Sequence, residues 1–305
     1  VKFVCYKEFE DPQEPVMPGI FRSGKILPLV RAVAVAEALA PKGVSVPSDL
    51  NAVMARMQSY VGVVRDLEKA RVLDKLWLET GVVTLAPLPS PHRILAIGRN
   101  YSEHAKELGS EVPDEPIVFQ KASTSVIASG QPIVLPHEIG RVDFEGELAV
   151  VIGTGGRNLS EAEALSHVAG YTLMNDVTAR DAQKRAIGKS LPWFLSKSYD
   201  TFGPLGPCIV TADEVPNPQN LVLTLSVNGE IKQETNTSEM LFSIPALIAY
   251  LSRHLALHPG DVIATGTPPG VGPLHPGDLV EVRIPEIGTL ENPVIGEDEF
   301  FSEVR

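Results

Sequence analysis

Three carboxylates are the residues of this chain best placed to do chemistry. Glu145 and Glu147 lie two apart in Val142-Asp-Phe-Glu-Gly-Glu-Leu-Ala-Val-Val-Ile-Gly153, and Asp176 lies in Met174-Asn-Asp-Val-Thr-Ala-Arg180. In a strand, residues i and i+2 point to one face, roughly 6.5–7 Å apart. Two carboxylates on one face of an apolar strand repel each other and resist desolvation, so a positive group belongs between them. A divalent cation with oxygen ligands meets that need, and an all-oxygen set favours Mg²⁺, Mn²⁺ or Ca²⁺ over Zn²⁺ or copper. Three carboxylates leave about three octahedral positions for water and substrate. The alternative is a strand with a charged, solvent-facing edge.

Other residues group around this set. Arg180 and Gln183 follow Asp176 at i+4 and i+7, which on a helix is one face; they face the substrate, brace the acids, or form a plain helix pair. His104 and Glu107 in Gly98-Arg-Asn-Tyr-Ser-Glu-His-Ala-Lys-Glu-Leu-Gly109 are spaced i, i+3. A carboxylate beside an imidazole makes a base poised near neutral pH, although most such pairs are surface pairs. Lys121 in Val118-Phe-Gln-Lys121 and Lys197 in Trp193-Phe-Leu-Ser-Lys197 have apolar neighbours. Each either snorkels to the surface or meets a substrate carboxylate or oxyanion. The loop Gly266-Thr-Pro-Pro-Gly-Val-Gly272 lacks the Lys-Ser/Thr of a P-loop, which excludes that mode of nucleotide binding; it carries Thr267 into a pocket or is a plain turn.

The elements that position these residues form an α+β, mainly β pattern. Residues 1–88 read as a small N-terminal α+β domain. Short strands are expected at Phe3–Tyr6, Gly19–Phe21 and Lys25–Leu29, with a helix from Leu50 to about Leu73, where Met54, Met57, Val61, Val64 and Leu67 recur at helical spacing. The Pro-rich stretch Ala86–Pro91 marks a boundary, and residues 89–305 form the larger domain. Strands are expected there at Arg93–Ile97, Ile117–Gln120, Phe144–Ile152, Tyr171–Asn175, Cys208–Thr211, Leu221–Val227, Asp261–Ala264 and Leu279–Ile284. Helices run from the Ser160/Glu163 capping box to about Val168 and from Ser243 to about Leu255. Asn228-Gly229 reads as a hairpin turn, and His258-Pro-Gly-Asp261 and His275-Pro-Gly-Asp278 as turns.

Composition narrows the classes. A formal charge of −12 over 305 residues argues against non-specific nucleic-acid binding. No apolar run approaches the ~18–20 residues of a membrane span, and the N-terminal stretch lacks the apolar core of a signal peptide. Two distant cysteines, Cys5 and Cys208, offer neither a zinc site nor a disulfide framework, so a reducing cytoplasm is the expected location.

Taken together, the blocks resemble the fumarylacetoacetate hydrolase superfamily. They are Gly98-Arg-Asn-Tyr101 with His104 and Glu107, Phe119-Gln-Lys121, Asp143-Phe-Glu-Gly-Glu147, Asp176-Val-Thr-Ala-Arg-Asp-Ala-Gln183, Ser196-Lys-Ser198, Asn228-Gly with Asn236-Thr-Ser-Glu-Met240, and Pro259 through Gly272. The series covers about residues 93 to 295. It is nearest the smaller members that act on acylpyruvates, oxaloacetate or dioates of aromatic catabolism. One departure is Gln120-Lys121-Ala122, where relatives commonly read Leu-Lys-Pro. The resemblance implies a mixed β-roll, a Mg²⁺ or Mn²⁺ site on Glu145, Glu147 and Asp176, and a homodimer. It implies a His104–Glu107 base dyad, a catalytic or substrate-binding Lys197, and Arg99, Tyr101, Lys121, Arg180, Gln183 and Thr267 around the substrate.

The leading expectation is hydrolysis of a carbon–carbon bond in a 2,4-dioxo acid of acylpyruvate type. The substrate chelates the metal through its carboxylate and 2-oxo oxygen. His104 and Glu107 activate water, Lys197 stabilises the oxyanion, and a pyruvate enolate leaves, held by the ion. Oxaloacetate-type decarboxylation, or isomerisation of a 2-hydroxyhepta-2,4-diene-1,7-dioate, shares the metal but not the water. A metal-binding structural protein is the non-enzymatic alternative.

Overall fold

The computed structural model describes residues 1–8, 13–78, 83–103 and 112–303. Its strands, in chain order, are β1 (Lys2–Lys7), β2 (Met17–Arg22), β3 (Lys25–Pro28), β4 (Val83–Leu85), β5 (Arg93–Gly98), β6 (Ile117–Lys121), β7 (Val126–Ile127), β8 (Ile133–Leu135), β9 (Val142–Phe144) and β10 (Gly146–Ile152). They continue with β11 (Val168–Asn175), β12 (Thr178–Ala179), β13 (Gly203–Thr211), β14 (Val222–Val227), β15 (Glu230–Asn236), β16 (Asp261–Ala264), β17 (Gly272–Pro273), β18 (Leu279–Ile284) and β19 (Gly288–Gly296). The chain is thus mainly strand, as its alternating apolar runs predict.

One large sheet runs β3-β2-β1-β13-β11-β10-β16-β5-β6, with β4 beside β1 and β7 beside β13. A second sheet runs β15-β14-β18-β19-β8, and a small third one β12-β9-β17. Side-chain alternation along the central strands feeds two cores. Leu148, Val150 and Ile152 of β10 join one core with Leu225, Val282 and Leu290 of the second sheet and with Ile248 of the helix Ile244–His254. Ala149 and Val151 join the other, with Leu29, Val33, Met57 and Val64 of the N-terminal helices. β10 is therefore buried on both faces, which suits its unbroken apolar run. Because β1 pairs with β13, strands β1–β4 continue the large sheet, and the N-terminal helices share that second core.

Several local expectations change. The strand expected through Leu29 ends at Pro28, which opens the helix Leu29–Leu39; that helix was not foreseen. The single helix expected over Leu50–Leu73 is two, Leu50–Met54 and Met57–Lys69, parted at Arg56, whose guanidinium bonds the Ser45 carbonyl at 3.0 Å. The strand expected over Phe144–Ile152 breaks at Glu145, whose N–H goes to the Asn175 side chain at 2.9 Å instead of a sheet neighbour. The capping box at Ser160/Glu163, the turn at Asn228-Gly229 and the helix after Ser243 are where the residues place them.

Candidate metal centre and its pocket

The centre arises from strand register. β10 and β11 pair antiparallel with Gly146 opposite Asn175, so one residue further Glu145 meets Asp176, and the Asp176 N–H donates to the Glu145 carbonyl at 2.8 Å. Glu147 projects from the same side of β10. One carboxylate oxygen from each of Glu145, Glu147 and Asp176 lies within 4.8 Å of the others, and all three residues are buried.

The acids are held from outside. Arg180 donates from Nε to Asp143 Oδ2 at 2.7 Å, from a terminal nitrogen to Glu145 Oε1, and from Nη1 to Gln183 Oε1 at 2.6 Å. Arg141 meets the other Asp143 oxygen at 2.6 Å. Lys197 Nζ bridges Glu145 Oε2 at 2.8 Å and Asp176 Oδ2 at 2.5 Å. Lys121 Nζ lies 2.7 Å from Asp176 Oδ1 and also donates to the Lys197 and Val177 carbonyls. Gly266 N donates to Glu147 Oε2 at 2.8 Å, from a loop that Thr267 ties to the Gly146 carbonyl at 3.0 Å.

Electrostatics then distinguish the groups. Burial opposes charge on Lys197, but Asp176 and Glu145 outweigh it and hold the ammonium above its ordinary range. Burial, reinforced by the nearby Lys197 charge, holds Lys121 below it despite Asp176. Burial first, then the Asp176 and Glu145 charges, push Glu147 well above the carboxylate range. Glu147 meets no Lys or Arg among the described residues within ion-pair distance, and Asp176 Oδ1, although 2.7 Å from Lys121 Nζ, is buried without an aligned hydrogen-bond donor. Both observations fit a divalent cation held by the three carboxylates, which would supply the missing positive charge.

A pocket of about 110 Å³ opens on this centre, and Arg99, Phe119, Lys184, Ile187 and Trp193 line it together with the three acids, Arg180, Gln183, Lys197 and Thr267. Of the residues expected around a substrate, Arg99, Arg180, Gln183 and Thr267 therefore meet there. Lys121 is buried behind Asp176 and lies outside the lining. Tyr101, 2% exposed, bridges to Met240 and also lies outside it; burial first, then Glu147, hold its hydroxyl above the ordinary range. The proposed base pair, His104 and Glu107, lies outside the described residues.

Two points correct or extend the sequence reading. Asp176 is not on the helix with Arg180: the helix starts at Arg180, after β12, and the acid partners of Arg180 are Asp143 and Glu145. Asp143, which shares strand parity with Glu145 and Glu147, is a further functional acid: it holds Arg180 and Arg141. Asn175, which accepts the Glu145 N–H, Gln233, whose Oε1 accepts the Gly146 N–H at 3.0 Å, and the Gly266 N–H complete the frame around the acids. Backbone donors and amides that act through loops leave no spacing signal.

Comparison with known proteins agrees. The model of the fumarylacetoacetate (FAA) hydrolase C-terminal domain matches residues 93–295. A mitochondrial oxaloacetate tautomerase of Xenopus laevis is 45% identical over 223 residues, 71% of this chain and 69% of that protein. The crystal structure of 5-carboxymethyl-2-hydroxymuconate delta-isomerase from Mycobacterium smegmatis superposes with a TM-score of 0.72 at 31% identity, covering 97% of this chain and 99% of that one. Maleylpyruvate hydrolase from Sphingobium sp. SYK-6, solved with manganese(II) and pyruvate, superposes with a TM-score of 0.76 at 29% identity over 97% and 99%. No helix among the described residues is long and apolar enough to cross a membrane. With its register-built carboxylate triad and this match across most of its length, the chain belongs to the fumarylacetoacetate hydrolase family.

Proposed function

We propose that this protein is a divalent-metal-dependent enzyme of small 2-oxo acids whose reaction shifts a proton or releases CO₂ next to the 2-oxo group, as in oxaloacetate tautomerisation or decarboxylation. The carrying observation is the buried triad of Glu145, Glu147 and Asp176 with a charged Lys197 on two of its carboxylates. When bound, Mg²⁺ or Mn²⁺ supplies a Lewis acid that polarises the 2-oxo oxygen. The protein's own residues do the rest. Lys197, kept protonated by its acidic neighbours, offers a hydrogen bond to the oxygen that gains charge. Arg180 takes one oxygen of Glu145 and fixes the direction of the other. Lys121 ties Asp176 to the backbone of Lys197, so ligand and ammonium keep their spacing. The 45% identity to an oxaloacetate tautomerase favours this chemistry, which activates no water.

A second reading is hydrolysis of a 2,4-dioxo acid, with His104 and Glu107 activating water. The whole-length likeness to a maleylpyruvate hydrolase favours it. Metal-stripped protein restored with Mn²⁺ and given oxaloacetate or acetylpyruvate separates the two. Faster oxaloacetate keto–enol interconversion or pyruvate release, with acetylpyruvate intact, supports the first. Acetate and pyruvate from acetylpyruvate support the second. No turnover of either sinks both.

A further inference from the structure

Asn100 is fully buried, yet no step at the triad uses it. Its side-chain amide joins two other segments of the chain. Nδ2 donates to the Thr265 carbonyl at 2.8 Å and to the Phe242 carbonyl at 3.1 Å, and Oδ1 accepts the Phe242 N–H at 2.8 Å. The Phe242 N–H needs an acceptor, so the amide has one orientation, with Nδ2 towards Thr265. The Asn100 carbonyl also accepts the Leu241 N–H at 2.8 Å.

The Thr265 carbonyl and the Gly266 N–H belong to the same planar peptide group. That N–H donates to Glu147 Oε2 at 2.8 Å. One rigid unit therefore takes a hydrogen bond from Asn100 at one end and gives one to a carboxylate of the triad at the other, and bonds in such a chain polarise one another. Thr265 itself is anchored, because its N–H and Oγ1 both meet the Leu148 carbonyl, at 3.1 and 2.8 Å. Gly266 must be a glycine: its φ is +101°, and a Cβ would lie 2.7 Å from Asn100 Cβ and 3.1 Å from the Ile97 carbonyl oxygen. A glycine leaves the preceding peptide plane free to turn, and the Asn100 amide opposes that turn. Glu147 depends on this N–H more than its neighbours do, since the lysine and arginine contacts of Glu145 and Asp176 do not reach it among the described residues.

We infer that Asn100 is a positioning residue of the metal centre: it fixes the Thr265–Gly266 peptide and, through the Gly266 N–H, the direction in which Glu147 presents its oxygens to the ion. This rests on the reading that the triad holds a divalent cation. It adds a preference among cations, because Mg²⁺ demands near-ideal octahedral geometry whereas Ca²⁺ accepts irregular sites. A Glu147 held in one direction favours the smaller ion.

The test is titration of metal-stripped wild type, Asn100→Ala and Gln219→Ala with Mn²⁺, Mg²⁺ and Ca²⁺. Gln219 is the control. Its Oε1 accepts the Ile244 N–H at 2.9 Å and its Nε2 donates to the Thr237 carbonyl, so it ties the segment beside Phe242 but has no bond to the Thr265–Gly266 peptide. Asn100→Ala is expected to lose about 10–100-fold in Mn²⁺ and Mg²⁺ affinity, the usual effect of removing an outer support, and distinctly less in Ca²⁺ affinity. Gln219→Ala is expected to melt lower and to keep all three affinities. Unchanged affinities in Asn100→Ala, a parallel loss of Mg²⁺ and Ca²⁺, or the same losses in Gln219→Ala overturn the inference. A measurement on the wild type decides the matter even where Asn100→Ala does not fold. Hydrogen exchange at the Gly266 amide is expected to be slow in the metal-free protein, because Asn100 holds the peptide before any ion arrives. Fast exchange that slows only on adding Mg²⁺ overturns the inference. Failure of the underlying reading looks different: the wild type then binds none of the three ions tightly.

Discussion

Replacing Lys197 by Met tests how the centre is balanced. The side chain is 2% exposed, and its ammonium sits on Glu145 and Asp176 at 2.8 and 2.5 Å. Methionine keeps most of the volume and removes the charge, leaving the buried carboxylates without their bridging cation. Deleting one partner of a buried ion pair costs about 3–5 kcal/mol, because the remaining charge stays desolvated. At on the order of 2 °C per kcal/mol for a chain of this size, the metal-free variant melts roughly 6–10 °C lower. The ammonium and a metal ion would draw on the same negative charge of Glu145 and Asp176, so the variant is expected to bind Mn²⁺ more tightly and to gain more stability from it. The assay is thermal unfolding of both proteins, metal-stripped and with saturating Mn²⁺. The gap between them is expected to be wide without metal and to narrow with it, while turnover falls at least about a hundredfold from the lost oxyanion contact. An equal gap in both states, or none without metal, refutes this account of the charge balance.

Three further outcomes follow from the same geometry. Asp143→Asn weakens the Arg180 Nε contact that orients Glu145 and lowers Mn²⁺ affinity by about 10–100-fold, read by titration of the stripped protein. Gly266→Ala costs more than about 1 kcal/mol in chemical denaturation, because φ is +101° and the new Cβ would lie 2.7 Å from Asn100 Cβ; it also moves the N–H from Glu147 and weakens Mn²⁺ binding. At the surface, the hydrogen bond to Asp298, then its charge, raises His137 above the usual histidine value. That contribution to stability is complete below the unfolded histidine pKa and is lost as pH rises through the folded one. Asp298→Asn should return the His137 NMR titration midpoint toward the ordinary value; an unmoved midpoint excludes the pair.

How much of this was legible in the sequence depended on the distance over which each feature is encoded. The triad could be read because Glu145 and Glu147 share strand parity and Asp176 sits in a motif of its own; the structure adds that one register, Gly146 opposite Asn175, brings them together. Strands such as Asp261–Ala264 and Leu279–Ile284 carry their own pattern and fall where expected. The break at Glu145 was hidden, because a side chain far along the chain, Asn175, takes the backbone N–H that a continuous strand would pair. Spacing points Arg180 at Asp176, but the extended residues 178–179 displace Asp176 from the helix and leave Asp143 and Glu145 as the partners. The helix Leu29–Leu39 was missed because its apolar and alanine-rich run follows a strand with only Pro28 between them. Lys121 illustrates tertiary context: a lysine among apolar neighbours reads equally well as snorkelling, and only the fold shows it buried against Asp176.

The central claim is that Glu145, Glu147 and Asp176 hold a catalytic divalent cation. The most direct measurement is Mn²⁺ titration of the metal-stripped protein followed by electron paramagnetic resonance, for the wild type and Asp176→Ala. The account predicts one tight Mn²⁺ site per chain in the wild type and its loss in the variant, with the folded state retained by circular dichroism. Tight binding that persists in Asp176→Ala, or no tight site in the wild type, would contradict it.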